Sequence, residues 1–147
     1  MNDADMDLAS GVAAFEAKEF RRAFQLLAPL AARGEAEAQF RVAVMSRNGL
    51  GGAVNEALAF SSMRDAACQG HGLAQHGLGV MYLYGECVEK DEAEAARWFR
   101  RAADQGFAGA MMTLGMMYEQ GLGVERDAQQ ARRLYAQADS VDSADSG

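Results

Sequence analysis

The sequence predicts an all-α fold, an α-solenoid of stacked helix-turn-helix repeats with about eight helices. Two observations carry this. The first is repetition at a fixed offset of 36 residues. Ala74, Gly79, Tyr82, Gly85, Val88, Asp91, Ala95 and Ala102 recur as Ala110, Gly115, Tyr118, Gly121, Val124, Asp127, Ala131 and Ala138, with no insertion or deletion. A period of this length marks a stacked array, because one such unit cannot bury its apolar face alone. The second is helical spacing of apolar residues within each unit. Leu73, Leu78, Met81 and Tyr82 mark one segment, and Ala95, Trp98, Phe99, Ala102 and Ala103 mark the next.

The same offset places the earlier elements. Gly34, Ala38, Ala43, Gly49, Asn55 and Ala59 stand one period before Gly70, Ala74, Gly79, Gly85, Asp91 and Ala95, although Ser46 replaces the tyrosine. Ala23, Phe24 and Gly34 precede Ala59, Phe60 and Gly70 in the same way. The expected organisation is a single repeat domain over 7–139. It has an opening helix pair at 7–33 and units at 34–69, 70–105 and 106–139. The acidic start, 1–6, and the polar tail, 140–147, are expected to be disordered. Pro29 falls in the second helix of the opening pair and is expected to kink or shorten it.

Within the unit 70–105, helix A is expected from Leu73 to Tyr84 and helix B from Asp91 to Gln105. Asp91-Glu92-Ala93-Glu94 reads as a capping box, repeated at Asp127. Gly85 and Gly121 suit left-handed C-caps of helix A, and Gly34, Gly70 and Gly106 suit the same role between units. Gly79 and Gly115 instead fall inside helix A, where glycine costs roughly 1 kcal/mol relative to alanine. A close helix contact explains them, with Ala74, Ala95 and Ala102 expected to serve it. The last helix B carries a stripe of Ala128, Ala131, Leu134, Tyr135 and Ala138 opposite a polar face, as a terminal repeat needs.

These residues resemble the Sel1-like repeat, a relative of the tetratricopeptide repeat. The shared pattern is A-x3-LG-x-M-Y-x2-G-x-x-V-x2-D-x3-A followed by A-x3-G. The opening pair is similar to the shorter tetratricopeptide form, with Gly11 and Ala23 closer together than Gly79 and Ala95. The resemblance implies a right-handed superhelix with the A helices lining a concave face, and a role as an adaptor for other proteins. If Gly115 packs inward as in that family, Met112 and Met116 point into the groove, whereas Met111 and Met117 fill the core. Equal offsets give His76 and Val80, with Leu83 and Tyr84 a turn on. One unit earlier they give Phe40 and Val44, then Arg47 and Asn48. Glu119 and Gln120 complete the edge. Flexible methionines and a tyrosine suit an adaptable binding surface. The expected partner is a peptide or helix of another protein, and the expected state is a monomer or weak self-association. The alternative is a structural, self-assembling repeat with no peptide ligand.

Composition excludes other classes. The net charge of −7 is concentrated in Asp3, Asp5, Asp7, Asp139, Asp142 and Asp145. Setting these aside leaves 15 acidic against 14 basic residues, which gives no reason to expect nucleic acid or a membrane surface as partner. No run approaches the roughly 18 apolar residues of a membrane helix. The start has no apolar segment after basic residues, so a cytoplasmic location is expected. Some secreted members of the family join helix B to the next helix A through cysteines eight residues apart. Cys68 stands at the first of these positions, but His76 holds the second and Cys87 lies in a loop, so no disulfide is expected. The spacing of Cys68, His71 and His76 fits no strong zinc pattern, and no metal or cofactor is expected. No nucleophile–base pair or convergent carboxylate pair is present, and the glycines at Gly121-Leu122-Gly123-Val124 do not follow a strand as a phosphate loop would. The chain is therefore not expected to be an enzyme. Arg97, Arg100 and Arg101, echoed by Arg132 and Arg133, read as a solvated face.

Overall fold

A computed structural model describes the backbone of residues 2–146 and the side chains of residues 2–143. Among the described residues there are eight helices and no strand. They are α1 (Asp3–Glu16), α2 (Phe20–Ala32), α3 (Ala36–Asn48), α4 (Glu56–Cys68), α5 (Gly72–Tyr84), α6 (Glu92–Asp104), α7 (Ala108–Gln120) and α8 (Ala128–Ser146). The residues group into two compact units, one ending at Ala74 and one starting at Gln75, where one continuous domain was expected over 7–139. Helices of a repeat array bury surface mainly against their neighbours, so burial accumulates locally.

In the first unit, Leu27, Leu30, Val42 and Met45 form a core with Ala14, Ala23 and Ala38. Phe15, Phe20, Phe24, Leu50 and Leu58 close around it. In the second, Leu83, Phe99, Leu114, Met117 and Leu134 are the large core side chains, packed with alanines of α6, α7 and α8. The glycines inside the A helices make close approach possible. A Cβ on Gly79 would lie 2.9 Å from the Phe99 ring, and one on Gly115 would lie 2.7 Å from the Tyr135 ring. The surface opposite each glycine is thus an aromatic ring of helix B, rather than the alanines Ala74, Ala95 and Ala102. Those alanines are fully buried.

The A–B loops share one pattern of hydrogen bonds. Gly49, Gly85 and Gly121 have φ of 68°, 70° and 71°, and the N–H of the residue after each donates to the carbonyl of Met45, Met81 or Met117 at 2.9 Å. Such bonds satisfy carbonyls that a helix end would leave open. The side chains of Asn55, Asp91 and Asp127 then cap the following helix by accepting from Leu58, Glu94 and Gln130 N–H. The return half of the capping box expected at Asp91 is replaced. Asp91 N–H donates to Tyr82 O at 2.9 Å, just as Asn55 donates to Ser46 O and Asp127 to Tyr118 O. Glu94 pairs instead with Arg97 at 3.0 Å.

Both ends depart from expectation. The first helix starts at Asp3, inside the stretch 1–6 expected to be disordered. The side chain of Asn2 caps it through Asp5 N–H at 2.9 Å, and Asp3 and Asp5 sit where the helix dipole favours acids. At the other end α8 runs on to Ser146, through the tail 140–147 expected to be disordered. Where Gly34, Gly70 and Gly106 end the earlier B helices, the register puts Asp142, so no left-handed stop intervenes. Val141 packs on the core of the second unit and anchors this extension. Met1 and Gly147 lie outside the described residues. Pro29 does not shorten α2, which continues to Ala32 and has 13 residues, as α3 has. Of the expected apolar stripe on α8, Ala128 is exposed, while Ala131, Leu134 and Ala138 are buried.

Candidate functional site

The side chains expected to line a groove fall on the A helices α3, α5 and α7. On α5 and α7 they form two pairs a helical turn apart, Val80 with Tyr84 and Met112 with Met116. Tyr84 is 65% exposed and Met112 53% exposed. Val80 and Met116 are half-buried and rest against the core of the second unit. Met111 and Met117 are buried in that core. Of the four methionines of α7, Met111 and Met117 are thus buried, Met116 is half-buried and Met112 is exposed. Leu83 does not belong to this surface. It is only 4% exposed and packs with the core, because it lies about 100° around the helix from Tyr84. Leu73 differs in the opposite sense, since it was read as part of a buried period and is exposed at the start of α5.

The polar edge is tied down. Tyr135 hydroxyl donates to Glu119 carboxylate at 3.1 Å. Burial, then the adjacent Glu119, push the phenol above its ordinary value. Gln120 is exposed. His76 stands half-buried edge-on to Phe99, with ring centroids 5.5 Å apart. Burial holds its imidazole below the usual histidine value, so it is a neutral, largely apolar ring at pH 7.

In the first unit, Phe40 stacks on His71 with centroids 4.8 Å apart. Val44 and Arg47 are half-buried, and the exposed Asn48 donates to Val44 O. His71 is occupied on both nitrogens. Nε2 lies 2.6 Å from a Glu37 carboxylate oxygen, and Nδ1 accepts Ala74 N–H at 3.1 Å, which caps the first turn of α5. The neutral tautomer with its proton on Nε2 satisfies both bonds. Burial raises the Glu37 carboxyl, but the hydrogen bonds from His71 and Arg41 and the charge of Arg41 outweigh it and hold it below the ordinary range.

The other candidates resolve into packing. Among the described residues no three His, Cys, Asp or Glu side chains gather at metal-binding distance. Cys68 is exposed and is not bonded to Cys87. Cys87 adopts φ of 63° at the register position of Gly51 and Gly123. Arg97 pairs with Glu94, Arg100 donates to Tyr118 hydroxyl at 2.8 Å, and Arg101 lies over the Trp98 ring at 4.4 Å. No helix among the described residues is long and apolar enough to cross a membrane.

One recurring feature was not anticipated. Gln69 donates to Gln39 at 2.8 Å and to Gly34 O at 2.9 Å, and Gln105 donates to Gln75 at 2.8 Å. Gln39 and Gln75 are both buried. The signal was available, because each pair of glutamines repeats at 36 residues. In the last unit Met111 and Val141 take these positions, and an apolar contact with the core replaces the polar clamp.

The sequence profile described as Sel1 repeat matches residues 36–71, 72–107 and 108–138. These are the three expected units, each starting two residues later, with the last ending at 138 rather than 139. A Sel1 repeat protein from Oxalobacter formigenes is similar in structure, with a TM-score of 0.87 and 30% identity, over 92% of this chain and 54% of that one. A protective antigen of uropathogenic Escherichia coli with the same repeat fold gives a TM-score of 0.88 and 33% identity, over 94% and 30%. The cysteine-rich protein B of Helicobacter pylori shares the fold at a TM-score of 0.66 and 22% identity, over 84% and 88%. The chain therefore spans about half of the first of these proteins and under a third of the second. No curated protein matches the sequence at significant similarity.

Proposed function

The chain belongs to the Sel1 repeat family, whose members generally mediate protein–protein interaction and whose fold is typically non-catalytic, and we propose that it is an adaptor holding a peptide or helix of another protein against its A helices. The observation that carries this is the exposure of Met112 and Tyr84 beside half-buried Met116 and Val80 on two successive A helices. Large apolar side chains left in water favour a cover. Methionine adapts to an irregular ligand, and tyrosine offers a ring with a polar tip. The first unit supplies equivalent positions in Phe40, Val44, Arg47 and Asn48. In the family's arrangement, A helices line the concave side, which supports a groove rather than a flat face. A cytoplasmic setting accords with two cysteines that need no bridge.

The experiment is affinity capture from the source cell with the intact chain, compared with a Tyr84→Ala/Met112→Glu variant. A partner retained by the first and lost by the second supports the reading. Concentration-dependent mass in light scattering, with no captured protein sensitive to the variant, would favour a self-assembling repeat instead.

A further inference from the structure

A cavity of about 220 Å³ lies within the first unit, between α2, α3, α4 and the loop joining α3 to α4. It is separate from the A-helix face described above. Its walls include Phe24, Met45, Ser46, Leu50, Ala53 and Leu58. It opens toward solvent at the loop, where Gly51 to Ala53 are exposed.

The register of the repeat sets the lining of this cavity apart from that of the last unit. Ser46 aligns with Tyr82 and Tyr118, so the first unit lacks the ring that later units carry. Tyr118 shows what that ring does. It is half-buried against the core of the second unit together with Leu122 and Val124, and its hydroxyl accepts from Arg100 at 2.8 Å. The two sites are wired alike, since Asn55 N–H donates to Ser46 O at 2.8 Å and Asp127 N–H donates to Tyr118 O at 2.9 Å. Phe24 lines the cavity where the last unit has Ala96, and the last unit, with Tyr118 in place, has a cavity of its own of about 280 Å³ lined by Ala96, Arg100 and Tyr118. An apolar cavity of about 150 Å³ is enough to hold benzene.

The lining also selects the chemistry. Arg100 has Ala28 as its counterpart, so no cation is provided for an anionic group. The polar contributions come from the Ser46 hydroxyl and from Asn55, whose side-chain oxygen already accepts Leu58 N–H. We propose that this cavity is a binding site for an uncharged single-ring aromatic, seated where the later repeats place a tyrosine side chain. p-Cresol, which is that side chain as a free molecule, is the natural probe.

The test is methyl NMR on the intact wild-type chain labelled at methionine. Met45 lines the cavity, and its register equivalent Met117 is buried beside a unit whose tyrosine is present. p-Cresol at millimolar concentration should shift the Met45 methyl saturably and leave Met117 unmoved. Equal shifts at both, or none at Met45, would overturn the proposal. N-acetyltyrosine amide titrated in parallel separates sources. A response to p-cresol alone assigns the site to free ring compounds, and a response to both extends it to a tyrosine of another protein. Ser46→Tyr should abolish the Met45 response, and persistence of the response in that variant would also count against the site.

Discussion

Gly115 of α7 faces the Tyr135 ring of α8, and its value lies in the absent side chain. A Cβ there would stand 2.7 Å from the Tyr135 ring, which is itself tied to Glu119. Gly115→Leu is therefore expected to destabilise by about 1–3 kcal/mol through overpacking, read as a lower urea midpoint with an unchanged slope. An equal or higher midpoint would show that the ring moves aside at no cost. His76 gives a second residue-scale expectation. Burial lowers its folded pKa below the ordinary 6.5, so the unfolded chain takes up the proton first. Its contribution to stability is complete above about pH 6.5 and is lost as pH falls toward the folded value. His76→Gln should flatten the melting temperature between pH 7 and 5 relative to wild type. A difference between the two that does not change with pH would assign the lowered value no role in stability.

The helices owe their ends to a few side chains, and these are the parts that local chemistry determines. Asp127 accepts from Gln129 and Gln130 N–H at 3.1 Å, so Asp127→Ala should cost about 1 kcal/mol, measured by chemical denaturation. Asp127→Asn should recover most of it, because the amide oxygen can still accept. No recovery would mean that charge against the helix dipole, rather than the bond, carries the effect. Capping residues, glycine stops and the 36-residue period were legible in the sequence because each depends on a few consecutive residues. What sits across from an element was not. The ring of Phe99 over Gly79 and the diversion of the Asp91 N–H to Tyr82 are tertiary facts with no local signature. The burial of Leu83 was missed because neighbouring positions on a helix differ by one step of rotation. The run of α8 past residue 139 is hidden by the low hydrophobicity of the tail, because it depends on Asp142 standing where a glycine stop would be and on the packing of Val141. The twelve expected binding residues were placed by analogy with the family, and burial removes Leu83 from them.

At the scale of the whole molecule, function rests on repetition that is uneven. The A helices present Phe40 and Val44, His76 and Val80, and Met112 and Met116 at equal positions, yet these differ in exposure and support. Phe40 is stacked on His71 and His76 leans on Phe99, whereas Met112 stands free of the core. The best single handles on binding are therefore Tyr84 and Met112, which are exposed enough to change without disturbing the fold. Met116 is a poorer probe, because it packs against the core and a charge there would cost stability as well. Tyr84→Ala and Met112→Glu are each expected to weaken a bound peptide or helix by about 2 kcal/mol, the range of interface hot spots. Their melting temperatures should stay near wild type. Arg97→Ser and Arg101→Ser on α6 serve as the contrasting pair, since Arg97 is held by Glu94 and Arg101 covers Trp98. Calorimetry with the captured partner decides between the two surfaces. Loss of affinity in the tyrosine and methionine variants, with the arginine variants unchanged, places the partner on the A helices. The reverse pattern would move the interface to α6, and the exposure of Met112 and Tyr84 would then need another cover.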